Sequence, residues 1–221
     1  MISFIIPTHN YGHLLERCIK SICKNNAKYI KEIVIVNDAS NDNTEHVVKK
    51  LKREIPFYYY KKNFKNLSKT MNFAINKCKG KIICKIDPDD EIKKNFAEIL
   101  GKKFLNSNVD FLYSNVIVND TKRKKKYVKK QKISKFFNLF QYPHGSGCLI
   151  TKKLWKKVGG FNELNFFQDD FDFWIRINKL KKVNIKYFDK NLYIYNKHEN
   201  NMSKNFLKKN LTKIKILLLN L

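Results

Sequence analysis

The chain has 221 residues, and its 46 Lys and Arg against 19 Asp and Glu leave a formal net charge of +27. With 43% hydrophobic and 14% aromatic residues it can build one well-packed core, which excludes a disordered chain and favours one domain over two. No apolar run reaches the roughly 18–20 residues that span a bilayer, and the opening MISFIIPTHN lacks the basic start and cleavage site of a secretory signal, so a cytoplasmic protein is expected.

Strands and helices alternate along the first half. Residues 2–6 form a short buried-strand run closed by Pro7, and Leu14, Leu15, Cys18, Ile19 and Ile22 then follow helical spacing. Residues 32–36 read as a second strand ending at Asn37-Asp38, and Asp42, three residues before Glu45, has the spacing of a capping box for the next helix. A third strand over 57–60, a third helix over 68–77 and a fourth strand over 81–86 follow. This βαβαβαβ order predicts an α/β fold with a mostly parallel central sheet and helices on both faces. The second half is less regular and is expected to form a smaller, acceptor-side part. A strand over 109–118, a turn-forming loop over 143–147, and a strand-then-helix over 149–158 with Gly159-Gly160 as its stop lead to a helix within 166–180. That helix carries Asp169-Asp170 in its first turn, where carboxylates are favoured, and Phe173 and Trp174 read as core. A last strand over 187–195 precedes Asn196-Lys197-His198. Finally Leu207, Leu211, Ile214, Leu218 and Leu221 make one helical stripe among Lys204, Lys208, Lys209, Lys213 and Lys215, which suits either an anionic membrane surface or docking on the chain's own domain.

The five cysteines (Cys18, Cys23, Cys78, Cys84, Cys148) form no CxxC pair and are expected to be buried, reduced thiols. The densest basic tract is KRKKKYVKKQK over 122–132, yet the excess is mostly Lys and spread along the whole chain with Asn, Ile and Phe, a bias that AT-rich codons produce. Solvated surface is the first reading of this charge. A face for an anionic membrane or glycolipid is the second, since each Lys near an anionic leaflet adds about 1 kcal/mol. Nucleic acid is the third.

In open α/β sheets, ligands bind beyond the carboxyl ends of the strands. Those positions hold Pro7-Thr8-His9-Asn10, Asn37-Asp38 and Asp87-Pro-Asp-Asp90, so three Asp stand within four residues of a chain otherwise short of carboxylates. Neither GxGxxG nor GxxxxGK[ST] occurs, which disfavours the dinucleotide fold and the P-loop. Asp87 and Asp89, at i and i+2, can reach a hard cation such as Mg2+ or Mn2+, an ion often held by one or two carboxylates plus substrate phosphates.

Six ordered segments resemble the family 2 glycosyltransferases with the GT-A fold: SFIIPTHNYGHLLERCIKSI, EIVIVNDASNDNT, KIDPDDEI, GSGCLITKKLWKKVGGFNE, QDDFDFWIRI and YNKHENNMS. The resemblance covers residues 1–203 and implies one GT-A-like domain, with a nucleotide-binding half over 1–105 and an acceptor and catalytic half over 106–203, followed by a basic amphipathic helix over 204–221. It implies that Pro7, Thr8, Asn10, Asp38, Asn72 and Asp87 line the nucleotide pocket. Asp89 is then the principal metal ligand, joined by Asp87 and His198. Asp170 falls on the general base and Asp169 on the acidic residue before it, where the family usually has Glu, so either neighbour can be the base. Asn66 stands where Gly is usual, which its tolerance of left-handed backbone angles permits, and Met71 stands where Arg is usual.

The implied activity is inverting, Mn2+- or Mg2+-dependent transfer of a sugar from a nucleotide-sugar, UDP being the family's commonest nucleotide. The implied acceptor is a hydroxyl of a lipid-linked or cell-surface glycan precursor at the inner membrane face, with no nucleic acid as partner. Two other classes are a nucleotidyltransferase, which also places a metal-binding Asp on a parallel sheet, and a non-enzymatic basic nucleic-acid-binding protein, in which the clustered aspartates have no task.

Overall fold

The computed structural model describes residues 1–133, 141–164, 168–199, 201 and 206–219, without the side chains of 206–210. Phe166, the 203/204 boundary, Lys204 and Leu221 therefore lie outside the described residues, as do the side chains of Leu207, Lys208 and Lys209.

The first half alternates as its spacing predicts: β1 (Ile2–Thr8), α1 (Gly12–Cys23), β2 (Ile30–Asp38), α2 (Thr44–Leu51), β3 (Tyr58–Lys62), α3 (Leu67–Lys77) and β4 (Ile82–Lys85). Two further elements complete it, the two-residue β5 (Glu91–Ile92) and α4 (Phe96–Leu105), whose Phe96, Ala97, Leu100 and Phe104 are buried at helical spacing. The second half supplies β6 (Phe111–Asp120), β7 (Lys125–Lys129), β8 (Leu149–Thr151), α5 (Lys152–Val158), α6 (Asp169–Lys179), β9 (Ile185–Lys197) and α7 (Phe206–Leu219).

One sheet runs through both halves in the order β3-β2-β1-β4-β8-β6-β9-β5, with β7 paired to β6. Strands β3, β2, β1 and β4 are parallel neighbours. Beyond β4 the sheet is mixed: β8 runs antiparallel to both β4 and β6, whereas β6 and β9 are parallel. The continuous apolar runs of β1 and β2 suit strands covered on both faces. Alternation divides their side chains between two clusters. Phe4 and Ile6 pack with Leu15, Ile19, Val48 and Leu100 on one face, while Ile5, Val34 and Val36 pack with Met71, Ile75, Trp155, Phe173 and Trp174 on the other.

Several local expectations are corrected. Asp42 is no capping box: its Oδ1 accepts from the Thr44 N–H at 3.0 Å and its Oδ2 from Gly12 N–H at 2.9 Å, so it ties α2 to α1, while Glu45 pairs with Lys61 instead of reaching back. The left-handed residue before α3 is Lys65 (φ 48°), and Asn66 is extended and caps α3 by accepting from the Lys69 N–H. Cys23 is exposed, unlike the other four thiols. The last helix docks through a residue off its predicted stripe. It docks through buried Ile216 and through Lys213, whose ammonium lies 4.8 Å from the Tyr142 ring centre, and it leaves Leu211, Ile214 and Leu218 exposed.

Candidate active site

Loops at the carboxyl ends of β1 and β2 are braced against each other. Asn10, with φ 58°, donates its backbone N–H to Ser40 Oγ and accepts the Asn41 N–H on its side chain at 2.8 Å. Thr8 is buried at the tip of β1, and its hydroxyl has no hydrogen-bond partner among the described residues. Buried polar groups are rarely left so, and such an atom is suited to a bound ligand. Pro7 lies inside β1, in register with Val36. Asp38 is used differently: its carboxylate accepts the N–H groups of Phe64, Lys65 and Asn66 at 2.6, 2.9 and 3.0 Å and the Thr70 hydroxyl at 2.8 Å. It shapes the loop that enters α3. Asn72 likewise spends its amide within the protein, donating to Phe161 O and Glu163 Oε1 and accepting from the Phe161 N–H.

Beyond β4 the chain turns through Asp87–Asp90, closed by the Asp90 N–H donating to Asp87 O at 3.0 Å. Both Asp87 oxygens are engaged, Oδ1 with the Lys85 ammonium at 3.0 Å and Oδ2 with the Ser146 hydroxyl at 2.6 Å. Burial alone would raise this carboxyl, but the Lys85 charge and the Ser146 hydroxyl outweigh it and hold the group below its ordinary value. Asp89 is buried with its Oδ2 2.9 Å from His198 Nε2 and 3.1 Å from Asn201 Nδ2. Its backbone carbonyl accepts from Arg17 and from Asn196, at 2.8 and 2.9 Å. Burial and the nearby Asp87 charge push the Asp89 carboxyl up. Asp90, fully buried, accepts from the Tyr193 hydroxyl and the Asn196 N–H, and burial with its two acidic neighbours drives it well above the carboxylate range.

Among the described residues no group of three His, Cys, Asp or Glu is already arranged around a metal position. The donor set nevertheless fits a divalent cation completed by phosphate oxygens. Asp89 brings a carboxylate that burial and the Asp87 charge disfavour as an anion, a penalty that a cation relieves, and His198 brings a ring nitrogen against it.

Facing this turn is the first turn of α6, which carries Asp169, Asp170 and Asp172. Burial raises Asp169 to about 7, against the lowering effect of Lys85 and with smaller raising effects from Asp170 and Asp87. The 143–147 loop joins the two sides. A Cβ on Gly145 would meet Asp170 Cβ at 2.6 Å, so only glycine lets this backbone lie against that aspartate. Next to it Ser146 holds Asp87, and the Gly147 N–H donates to Lys85 O at 2.9 Å. A cavity of about 40 Å³ lies behind, lined by Lys85, Gly145, Asp169, Asp170, Phe173 and Trp174 among others.

The fold thus brings Asp87, Asp89, His198, Asp169 and Asp170 to one edge of the sheet, with Thr8 and Asn10 at the neighbouring strand tips, whereas Asp38 and Asn72 brace the loops around it. Residue-by-residue reading passed over Lys85, Gly145, Ser146 and Asn201. The signal for Lys85 was a charge inside the apolar run KIICKI, and for Ser146 its place between two glycines.

The profile described as Glycosyl transferase family 2 matches residues 3–160. A Rickettsia typhi protein described as an uncharacterized glycosyltransferase is 30% identical over 207 residues, covering 88% of this chain and 63% of its own length. The chain therefore spans under two thirds of that relative. An Escherichia coli protein described as UDP-Glc:alpha-D-GlcNAc-diphosphoundecaprenol beta-1,3-glucosyltransferase WfgD is 26% identical over 181 residues, covering 81% of this chain and 70% of its own. Among solved structures, S. aureus TarS 1-349 in complex with UDP-GlcNAc superposes with a TM-score of 0.77 at 20% identity, over 98% of this chain and 65% of that one. The mannosyltransferase PcManGT from Pyrobaculum calidifontis in complex with GDP-Man and Mn2+ gives 0.70 at 16% identity, over 99% and 62%. At such identities the structural likeness establishes the fold alone, the GT-A arrangement.

Proposed function

The chain belongs to glycosyl transferase family 2, and on that premise we propose that it transfers a sugar, with inversion, from a nucleotide-sugar to a hydroxyl of a lipid-linked or cell-surface glycan precursor. The observation that carries this reading is the meeting of the Asp87–Asp90 turn with Asp169-Asp170 across the Lys85, Gly145 and Ser146 links. A UDP-sugar donor and a lipid-linked acceptor draw support from the description of WfgD, and UDP also from the ligand of TarS.

In this reading Thr8 and Asn10 line the nucleotide pocket, which Pro7 closes from β1 and which Asp38 and Asn72 shape through the loops they hold. Asp89 and His198, with Asp87 beside them, would hold a Mn2+ or Mg2+ ion, for which the Mn2+ in the PcManGT complex gives precedent. When bound, that ion supplies Lewis-acid stabilisation of charge on the departing nucleoside diphosphate. Asp170 takes the proton from the attacking acceptor hydroxyl at its carboxylate, as a general base within hydrogen-bond reach. Asp169 sits beside it, a carboxyl of raised proton affinity. A single base acting opposite the leaving group gives inversion, because no covalent intermediate intervenes. The Leu211, Ile214 and Leu218 stripe of α7 fits a protein that meets its acceptor at an anionic membrane surface.

Nucleoside diphosphate release from a panel of sugar nucleotides with Mn2+ tests the reading. Asp89→Asn should abolish release, and Asp170→Asn should lower turnover by roughly 10²–10⁴-fold with donor binding retained. If Asp169→Asn alone does so, the base is Asp169. Release of pyrophosphate instead would overturn glycosyl transfer in favour of nucleotidyl transfer.

A further inference from the structure

Lys85 is the last residue of β4, and strand alternation puts it on the same face as Ile83, which packs in the cluster of Phe173 and Trp174. An apolar side chain is expected there. Instead an ammonium stands with its side chain only 13% exposed, 3.0 Å from Asp87 Oδ1, in the wall of the cavity that Asp169 and Asp170 also line. A charge at such a depth persists only when it is paired. Asp87 is its ion-pair partner, and the Gly147 N–H fastens the same residue's carbonyl to the loop that carries Gly145 against Asp170.

We propose that Lys85 is a resident cation that neutralises Asp87 in the donor-free protein and keeps a divalent ion from binding until the donor's diphosphate arrives. It is a positioning residue, acting through Asp87. With Oδ1 on Lys85 and Oδ2 on Ser146, Asp87 is satisfied without a metal. That leaves Asp89 and His198, already in contact with each other, as ligands for the ion, too few to hold it well unless phosphate oxygens complete the shell. A fixed positive charge a few ångströms away also opposes a free divalent ion, an effect worth tenfold or more in affinity at a partly buried site. This role presupposes the cation and diphosphate chemistry proposed above.

Electron paramagnetic resonance of Mn2+ titrated into the full chain, without nucleotide, tests it independently of turnover. Lys85→Met should bind donor-free Mn2+ about tenfold tighter than the wild type, while Lys85→Arg, which keeps the charge, stays within about twofold. Lys85→Gln, still able to donate to Asp87, should shift in the same direction as Lys85→Met. Damage to the fold moves affinity the other way, so the sign separates the two causes. Unchanged or weaker donor-free affinity in Met and Gln variants of wild-type melting temperature, with Mn2+ binding normally once UDP or GDP is added, overturns the role of Lys85 alone. Failure of every protein, wild type included, to bind Mn2+ with UDP or GDP present overturns the metal reading of the site along with it.

Discussion

Asp169 carries the proton whose cost is easiest to follow. Burial raises its carboxyl from an ordinary 3.8 to about 7. Between these values the folded protein keeps a proton that the unfolded chain has lost, so stability from this group is complete below about pH 4 and drains away as pH rises through 7. Asn at this position carries no such charge. Asp169→Asn should therefore match the wild type near pH 4 and exceed it by about 2–4 kcal/mol at pH 8, since a tenfold difference in proton affinity between folded and unfolded chains corresponds to about 1.4 kcal/mol. Urea melts of the two proteins at pH 4.5, 6 and 8 check this, and a stability difference that stays flat with pH would contradict it. The rest of the acidic turn divides by partner. Asp87 is kept ionised by Lys85, whereas Asp90, donated to by Tyr193 and Asn196, is bound into the scaffold that presents Asp89.

Among elements, the 143–147 loop matters beyond its length, because it is the strap between the acidic turn after β4 and the helix that begins with aspartates. Gly145→Ala would thrust a methyl group into Asp170, whose Cβ lies 2.6 Å from that point. Turnover should fall by about 10–100-fold with donor KM little changed, given the sensitivity of catalysis to displacements near 1 Å. Initial-rate kinetics over a donor series decide it, and an equal rise in KM would mean that the loop serves donor binding instead. The aspartates of this site were legible from the sequence because carboxylates are rare in so basic a chain and fall at strand ends. Lys85 was not, since one lysine among so many reads as surface until the strand's facing is known. Gly145 was not, because its constraint comes from α6, over twenty residues away in the chain. Asp38 was legible as a strand-end residue, yet its work was hidden, since three amides that converge on it come from the far side of β3. Helix α4 was passed over although Asn95 and Asn106 bound it, and the charged tract around β7 reads as solvated surface.

For the whole molecule, net charge and the last helix bear on the membrane-facing proposal. Among the described residues no helix is long and apolar enough to cross a membrane. The exposed Leu211, Ile214 and Leu218, in a chain of net charge +27, suit shallow insertion between anionic headgroups. The protein should sediment with vesicles containing anionic phospholipid, less so as salt increases, and the triple substitution of these three residues by Ser should release it at least tenfold. A wild type that stays in the supernatant at low salt would remove the membrane from the account.

The lysines do something else where the sheet stops. One outer strand, β3, ends in Lys61 and Lys62, and the outlying ribbon β7 reads KKYVK with every residue exposed. Unpaired strand borders invite other chains to add on, and positive charge repels like borders. Positive charge at these borders thus works against edge-to-edge growth of a wide, open-ended sheet.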